Sequence, residues 1–221
     1  MEMYARWVHR ALWHDTPSGW RIHKSHHEPR AGAFEANDVY ALANALNIVV
    51  EHALRNGKGT PAGFGVTIRV SHLVEHPAIL AGLRSEAGAW VRMNPVDGKG
   101  VSDMNVTAFR FALLEFDTIP MDLQLSLVAS IPLPISAVIT SGGRSVHAWI
   151  RVDQPSAEDY RNRVREMLLL LEKYGVDQAN KNPSRLSRLP GVRRTLGRQG
   201  DGRQRLLYLN PCPRTFPILN P

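Results

Sequence analysis

A hairpin signal in the middle of the chain constrains the fold more than any other feature. Apolar residues dominate Pro132 to Thr140, and polar and apolar residues alternate from Ser145 to Val152. Ser141-Gly142-Gly143-Arg144 lies between these two segments, and paired glycines accept the positive φ that a tight hairpin turn requires. The sequence therefore predicts two antiparallel strands joined by a short turn.

Three other segments have the residue pattern of strands, and two have the pattern of helices. Three more strands are predicted, at Val66 to Val70, Ala89 to Met93 and Phe109 to Phe116. Near-helical apolar spacing predicts a helix over Phe34 to Arg55, and a capping box at Ser156 predicts another that ends at Gly175. The mixture predicts an α+β fold with helices on one face of a sheet.

Length and composition narrow the class of protein. A chain of 221 residues forms one large domain or two small modules, and 43% hydrophobic residues exclude a disordered chain. The single cysteine, Cys212, excludes a disulfide framework and any zinc site with several thiolates. No apolar run has the length of a membrane span, and the N-terminus lacks the order of a signal peptide. We expect a soluble, cytoplasmic protein with no membrane partner.

The net charge of +7 is concentrated in one segment. Between Lys181 and Arg205 there are eight basic residues and one acid, which leaves the other 196 residues neutral overall. Most of the eight are arginines, whose planar guanidinium suits bidentate contacts with phosphate. The segment indicates either a solvated basic loop or a contact with phosphate, nucleotide or nucleic acid, and the arginines favour the second interpretation.

Two acids stand at the end of the predicted strand Phe109 to Phe116. Because side chains alternate along a strand, Glu115 and Asp117 share one face while Leu114 and Phe116 point into the core. Two neighbouring carboxylates repel each other unless a hard cation such as Mg²⁺ or Mn²⁺ lies between them. They are either metal ligands or solvated residues at the mouth of the strand.

The strand after the glycine turn has one polar face. Ser145, His147, Trp149 and Arg151 lie on that face, next to Arg144 of the turn. Hydroxyl, imidazole and guanidinium donors are suited to holding a triphosphate, although an ordinary hairpin edge would look similar. We predict that Arg144, Ser145 and His147 contact phosphate.

A third acid and two arginines follow the helix that ends at Gly175. Asp177 precedes Arg185 and Arg188, which the spacing of three residues places on one helical turn, with Ser184 as its cap. Acids for metal and arginines for phosphate are the components of phosphoryl or nucleotidyl transfer. By contrast, we interpret the polar segment His23 to Glu28 as a solvated loop, because it does not alternate as a metal-binding strand would.

Taken in order, these motifs resemble the archaeo-eukaryotic primase superfamily, and within it the primase-polymerase domains of phages, plasmids and CRISPR-associated loci. The similarity covers about residues 90 to 205, with the motifs in the same order. It rests on Glu115-Phe116-Asp117, on Ser141 to Trp149, on Asn182 to Gly191, and on the lead-in from Arg92 to Arg110.

The resemblance implies a fold, an activity and a set of site residues. It implies an N-terminal α/β module over residues 1–88 and an RRM-like antiparallel sheet over residues 89–221, which together form one domain. It implies template-directed joining of NTPs or dNTPs on single-stranded DNA and a primer, with a helicase or a CRISPR or replication protein acting in trans. The roles it implies are a two-metal site for Mg²⁺ or Mn²⁺ at Glu115, Asp117 and Asp177, and nucleotide binding at Ser145, His147, Arg185 and Arg188. The glycine turn adds Arg144 to the nucleotide-binding set, and the basic segment predicts nucleic-acid binding at Arg193, Arg194 and Arg198.

Two alternatives use the same residues. A replication initiator or nucleic-acid-binding module would keep the fold without catalysis, and a metal-dependent nuclease would use the same acids on phosphodiesters. A binding module has no need for three acids, and a nuclease has no need for a triphosphate cradle. These differences favour the primase-polymerase.

Overall fold

Two four-stranded antiparallel sheets form the framework of the protein. The computed structural model describes residues 46–50, 54–55, 58–59, 65–82, 86–116, 118–195, 201–211 and 213. The first sheet has the order β4 (Val66–Ile68), β1 (Leu46–Val50), β5 (Ala89–Arg92), β9 (Leu186–Arg188). The second has the order β10 (Leu206–Leu209), β7 (Ile135–Thr140), β8 (Val146–Gln154), β6 (Phe109–Glu115). The short strands β2 (Leu54–Arg55) and β3 (Lys58–Gly59) pair with each other.

Two helices cover one face of the second sheet. They are α2 (Met121–Ser130) and α3 (Ala157–Leu170), and a shorter helix, α1 (Val70–Glu75), follows β4. The main hydrophobic core joins Val128 of α2 and Tyr160 of α3 to inward-facing residues of β6 and β8. Chain order within this layer is β-α-β-β-α-β, interrupted by β9, which crosses to the first sheet. The prediction of an α+β fold with antiparallel sheets is confirmed.

The predicted hairpin is present, with β7 and β8 as its strands. Thr140 pairs with Val146 across the turn, and the pairing continues along both strands. Val146, Ala148 and Ile150 are fully buried against the helices, so the alternation of faces predicted for β8 is confirmed. Consequently His147 and Trp149 face away from the helices.

Local sequence signals account for the ends of α3. The Ser156 hydroxyl accepts a hydrogen bond from the Asp159 backbone N–H at 3.1 Å, as an N-cap does. Glu158 and Asp159 place negative charge in the first turn, where the helix dipole favours it. The chain then passes through a 3₁₀ turn, Glu172–Tyr174, and Gly175 ends it in the left-handed conformation with φ of 78°.

The helix predicted over Phe34 to Arg55 is wrong where it can be checked. Residues 34–45 lie outside the described residues, and Leu46–Val50 is strand β1. β1 pairs with β4 on one side and with β5 on the other, and Ile48 is buried. The β-branched run Ile48-Val49-Val50 suits such a central strand, and the near-helical spacing of its neighbours concealed it.

The helical turn predicted for Arg185 and Arg188 is also wrong. Leu186–Arg188 is strand β9, and it pairs with β5 so that Arg188 lies opposite Trp90. Ser184 does not cap a helix, because its backbone N–H and its hydroxyl both donate to the Asp103 carboxylate. The segment pairs with β5 and becomes the edge strand of the first sheet. Because β5 is distant in the sequence, the local spacing could not show this pairing.

The first sheet takes strands from both sides of residue 88. β1 and β4 precede that boundary, while β5 and β9 follow it. The division into 1–88 and 89–221 stays a prediction. The two sheets are linked by Gln204, whose side chain exchanges two hydrogen bonds with the Ala89 backbone at 3.0 and 2.9 Å.

Candidate active site

A cavity of about 290 Å³ lies between the two sheets. Glu115 and His147 enter it from the second sheet, and Trp90 and Arg188 enter it from the first. The segment between α3 and β9 supplies the remaining wall, including Asn180 and Arg185. The structure therefore gathers residues from four separate sequence motifs around one space.

Glu115 is the partly buried acid of this cavity, with 19% of its side chain exposed. Its Oε1 accepts hydrogen bonds from the Ser145 hydroxyl and from His147 Nε2, each at 3.1 Å. Within the described residues, Oε2 has no hydrogen-bond partner, so one carboxylate oxygen is fixed and the other is available. Leu114 and Phe116 are fully buried on the opposite face, as predicted.

The electrostatic surroundings keep Glu115 ionised. Burial alone would raise the pKa of Glu115. Attraction to the His147 ring, hydrogen bonds from His147 and Ser145, and the charge of Arg188 outweigh burial and lower the pKa from 4.5 to about 2. At neutral pH this carboxylate is therefore an anion in a partly buried site, and the ionised form is the one that binds a cation.

The hydrogen bonds around His147 determine which of its ring nitrogens carries the proton. Trp149 Nε1–H, which can only donate, donates to the Ser187 hydroxyl at 2.7 Å, and the Arg188 backbone N–H donates to His147 Nδ1 at 3.3 Å. Ser187 Oγ lies 3.2 Å from the same Nδ1 and is free to donate to it. Nδ1 is therefore the acceptor, and Nε2–H donates to Glu115.

Asp177 lies directly across from Glu115. An isolated bridge joins Phe116 to Val176, and the Asp177 backbone N–H donates to the Glu115 carbonyl at 2.9 Å. Residues opposite one another in an antiparallel pair present their side chains on the same face, with Cβ atoms about 5 Å apart. Asp177 Oδ2 is 3.9 Å from an Arg185 guanidinium nitrogen. The third predicted acid, Asp117, lies outside the described residues.

The two arginines of the predicted phosphate site both border the cavity, and different contacts hold each of them. Arg185 Nε donates to Asn180 Oδ1, so this guanidinium is held between Asn180 and Asp177. The Arg188 guanidinium lies 4.0 Å from the centre of the Trp90 ring and donates to the Ala87 carbonyl at 3.0 Å. Both cations border the space into which the Glu115 carboxylate points.

The glycine turn between β7 and β8 has firm internal support. The buried Gln124 side chain of α2 donates to the Arg144 carbonyl and accepts from the Val146 N–H, both at 2.8 Å. Gly142 has φ of 68°, and a Cβ there would lie 2.4 Å from the Gly202 carbonyl oxygen. Arg144 itself is exposed on the turn. This support fixes the start of β8, where Ser145 and His147 lie.

The predicted nucleic-acid-binding arginines differ in their surroundings. Arg193 is exposed, and its Nε donates to the Asp201 carbonyl at 3.2 Å. Arg194 is buried, and it donates to the Ser141 carbonyl at 3.4 Å, next to the glycine turn. Arg198 lies outside the described residues. The role of all three in nucleic-acid binding stays a prediction.

Sequence reasoning assigned no role to Trp90 and Asn180, which border the cavity, or to Ser187, which contacts His147. Trp90 stacks on Arg188, Ser187 bonds to His147, and Asn180 pairs with Arg185. Asn180 and Ser187 lie within the motif region of the sequence, but no local pattern distinguishes them from solvated polar residues. Only the pairing of β9 with β5 brings Ser187 and Trp90 to this site.

The fold is similar to that of solved primase and primase-polymerase domains. A structural comparison matches 78% of this chain to 85% of the archaeo-eukaryotic primase domain of the cyanophage S-2L primase-polymerase, with a TM-score of 0.52 and 20% identity. The catalytic domain of primase RepB′, solved in complex with initiator DNA, matches 78% of this chain and 80% of its own, with a TM-score of 0.50 and 15% identity. At these identities the similarity shows the fold.

Comparisons by sequence point to a different class over a short segment. No family model matches the chain. The chloroplastic β-carotene 3-hydroxylase of Haematococcus lacustris is 63% identical over 46 residues, which are 21% of this chain and 14% of that enzyme. β-Carotene 3-hydroxylase 1 of Arabidopsis thaliana is 62% identical over 88 residues, 36% of this chain and 28% of the enzyme. The chain thus spans well under a third of these curated relatives.

Two further sequence predictions concern membrane spans and the polar segment His23 to Glu28. Among the described residues, none of the helices combines the length and the apolar character needed to cross a membrane. The segment His23 to Glu28, interpreted as a solvated loop, lies outside the described residues. None of the motifs described above predicted the similarity to hydroxylases.

Proposed function

We propose that this chain is a template-directed nucleotidyltransferase, a DNA primase-polymerase that joins NTPs or dNTPs on single-stranded DNA. The observation that carries the proposal is the cavity between the sheets, where an ionised carboxylate, an oriented imidazole and two arginines converge. A carboxylate suits a divalent cation, and the arginines suit phosphate. The structural likeness to primase-polymerase domains supports the same conclusion.

Glu115 of the cavity and Asp177, which lies opposite it in the backbone pairing, suit two hard divalent cations. Glu115 offers an ionised carboxylate with one unengaged oxygen, and Asp177 faces it from the neighbouring segment. Oxygen ligands of this kind match Mg²⁺ or Mn²⁺, and we propose that Glu115, Asp117 and Asp177 hold them. When bound, such ions supply charge for the α-phosphate and lower the pKa of the primer 3′-hydroxyl.

The remaining residues would hold the incoming nucleotide. Arg185 and Arg188 border the cavity as cations, and both are kept in place by contacts with protein groups. In this structure the donors of Ser145 and His147 are both engaged by Glu115, so their proposed contact with the triphosphate requires that they leave the carboxylate when the nucleotide binds. Arg144, exposed on the adjoining turn, is within the same proposed triphosphate site.

We propose that the basic segment contacts the template and primer. Arg193 offers an exposed guanidinium, whereas buried Arg194 would act through the glycine turn that it supports. Arg198 completes the set proposed from the sequence. Contacts of this kind weaken as salt rises, because phosphate binding releases counterions. A helicase or a CRISPR or replication protein is the proposed partner in trans.

Hydroxylase activity is not part of the proposal. The segments similar to carotene hydroxylases amount to 14% and 28% of those two enzymes. Most of such an enzyme therefore has no counterpart in this chain.

The direct test is a primer-extension assay on single-stranded template with NTPs and dNTPs, with Mn²⁺ or Mg²⁺, and with or without a labelled primer. Wild type is compared with Glu115→Ala/Asp117→Ala and with Glu86→Gln, an exposed acid outside the cavity. We expect template-dependent products from wild type and Glu86→Gln, and a loss of at least about a hundredfold in the double variant, because the metal ligands are removed.

Salt-sensitive DNA binding is expected to survive in the double variant, since the basic segment is intact. Absence of product from wild type, with DNA binding retained, would favour a non-catalytic initiator. A shortened template would favour a nuclease.

A further inference from the structure

We propose that His72 and Glu75 of α1, with His76 directly after it, form a binding site for a transition-metal ion, separate from the cavity between the sheets. Each of the three side chains can offer one ligand atom, and these atoms all lie within 4.8 Å of one another. The two imidazole rings are 4.7 Å apart between centroids. All three residues are exposed, so an ion can reach them from solvent.

The backbone holds these side chains on one face. Residues three and four apart are neighbours on a helix, which places Glu75 and His76 beside His72. The His76 N–H donates to the His72 carbonyl at 2.9 Å, and the Leu73 N–H donates to the Arg69 carbonyl at 3.0 Å. Leu73 packs against the core of the first sheet, so the helix is anchored on its other side.

The donor set determines the class of ion. Two imidazole nitrogens and one carboxylate oxygen suit Zn²⁺, Ni²⁺ or Cu²⁺, whereas Mg²⁺ and Ca²⁺ prefer oxygen ligands alone. Three protein ligands leave at least one coordination position for water. The site therefore differs in metal preference from the carboxylates at Glu115 and Asp177.

Isothermal titration of the full chain with Zn²⁺ tests the proposal. The variants are His72→Ala/His76→Ala, Glu75→Gln, and the matched control Val74→Ala, which changes an exposed residue of the same helix that has no ligand atom. We expect the double histidine variant to bind one equivalent fewer than wild type. Glu75→Gln should keep the stoichiometry with an affinity lower by about tenfold, and Val74→Ala should match wild type.

The chain has nine histidines, so the comparison uses the difference between proteins, and not the total zinc bound. Circular dichroism verifies that each variant is folded. Identical isotherms for wild type and the double histidine variant would overturn the proposal. So would an equal loss of zinc in Val74→Ala.

We also infer, from a different observation, that the Asn180 amide binds an oxygen atom of the nucleotide; this inference rests on the proposed function. Asn180 is 1% exposed and borders the cavity between the sheets. Its Nδ2 is buried and has no hydrogen-bond partner among the described residues. A buried donor left without a partner costs about 1–3 kcal/mol, so it is a candidate for a ligand contact.

The orientation of this amide is fixed by its neighbour. Arg185 Nε donates to Asn180 Oδ1, and because an arginine can only donate, the oxygen must face it. The Nδ2 donor consequently points away from Arg185. A sugar or phosphate oxygen in the cavity is the kind of acceptor that would satisfy it.

This role is tested by titration calorimetry, which measures the affinity for a non-hydrolysable nucleoside triphosphate in the presence of Mn²⁺. Asn180→Asp keeps the acceptor for Arg185 but replaces the donor with a negative oxygen. We expect its nucleotide affinity to fall by at least about tenfold. The matched control is Ser136→Ala, because Ser136 Oγ is also buried without a partner among the described residues but lies outside the cavity wall; we expect it to bind as wild type does.

Two failures are distinguishable. If wild type and Asn180→Asp bind the nucleotide equally, the role of Asn180 is wrong and the proposed function stands. If wild type binds no nucleotide, both are wrong.

Discussion

At the scale of single residues, the site depends on donors whose direction is fixed before any ligand binds. Ser187 is fully buried between Trp149 and His147, and its hydroxyl accepts from one and lies within hydrogen-bond distance of the other. This arrangement makes Ser187 a positioning residue, since it acts on Glu115 only through the His147 ring. Preorganised donors of this kind are a main source of stabilisation in polar active sites.

The tautomer of His147 is directly measurable. We expect ¹⁵N NMR of wild type to show the proton on Nε2, because the Arg188 N–H donates to Nδ1. Ser187→Ala should weaken this preference and lower the free energy of unfolding by about 1–3 kcal/mol, since Trp149 Nε1–H loses its acceptor. A proton on Nδ1 in wild type would contradict the assignment, whatever the stability of the variant.

At the scale of elements, the turn that leads into β9 is held by one carboxylate. Asp103 accepts from the Ser184 hydroxyl at 2.6 Å and from Arg161 at 3.2 Å, and so links the turn to α3. The amide of Asn94, which follows β5, donates to the Pro183 carbonyl and to the Phe111 carbonyl of β6, both at 2.9 Å. These bonds place Arg185 and β9 at the cavity, although all of the bonding groups lie far apart in sequence.

This link predicts a pH dependence of stability. Burial raises the pKa of Asp103, but hydrogen bonds from Ser184 and Arg161 outweigh it and keep the pKa below the ordinary value of 3.8. A lowered pKa contributes stability above pH 3.8, and that contribution is lost as the pH falls through the folded-state value. Asp103→Asn should therefore be less stable than wild type at pH 7, by about 1–2 kcal/mol, and the difference should shrink below pH 3.8.

Urea unfolding of both proteins between pH 7 and pH 2.5 measures this difference, with Glu172→Gln as the matched control on an exposed acid. A constant difference across the whole range would show that Asp103 does not act through its charge.

The helix α2 shows how a local pattern can conceal an element. Met121, Leu123, Leu125 and Leu127 alternate with polar residues, a period that suits a strand, and the sequence analysis assigned no helix there. In the structure the segment is helical, with Gln124 and Val128 buried and Leu123 half exposed. The buried Gln124, which bonds to the glycine turn, explains why a polar residue lies on the inner face.

At the scale of the whole molecule, the site exists because two sheets meet. Glu115 and His147 belong to one sheet, and Trp90 and Arg188 belong to the other. The chain crosses to the first sheet at β9 and returns to the second at β10. The segment that contributes to the cavity wall therefore also supplies an edge strand to each sheet. Catalytic sites in crevices between layers are common, because water is partly excluded there and charges interact more strongly.

The similarity in structure to primase-polymerase domains and the similarity in sequence to hydroxylases also concern the whole molecule. The fold likeness to primase-polymerase domains extends over 78% of the chain at 20% identity or less, while the hydroxylase likeness is strong but short. Fold is retained at low identity because many sequences satisfy the same pattern of burial and pairing. A short segment of high identity carries no such information about the rest of the chain.

The sequence by itself determined the features that depend on neighbours in the chain. Alternation fixed the faces of β6 and β8, the paired glycines fixed the hairpin turn, and Ser156 fixed the start of α3, because strand period, turn geometry and capping are local. Tertiary structure decided the rest. β1 and β9 are strands because distant strands pair with them, and Asn180, Ser187 and Trp90 belong to the site because β9 crosses to β5. Contacts between segments that are distant in the sequence produce no periodic pattern of residues, so one sequence alone does not reveal them.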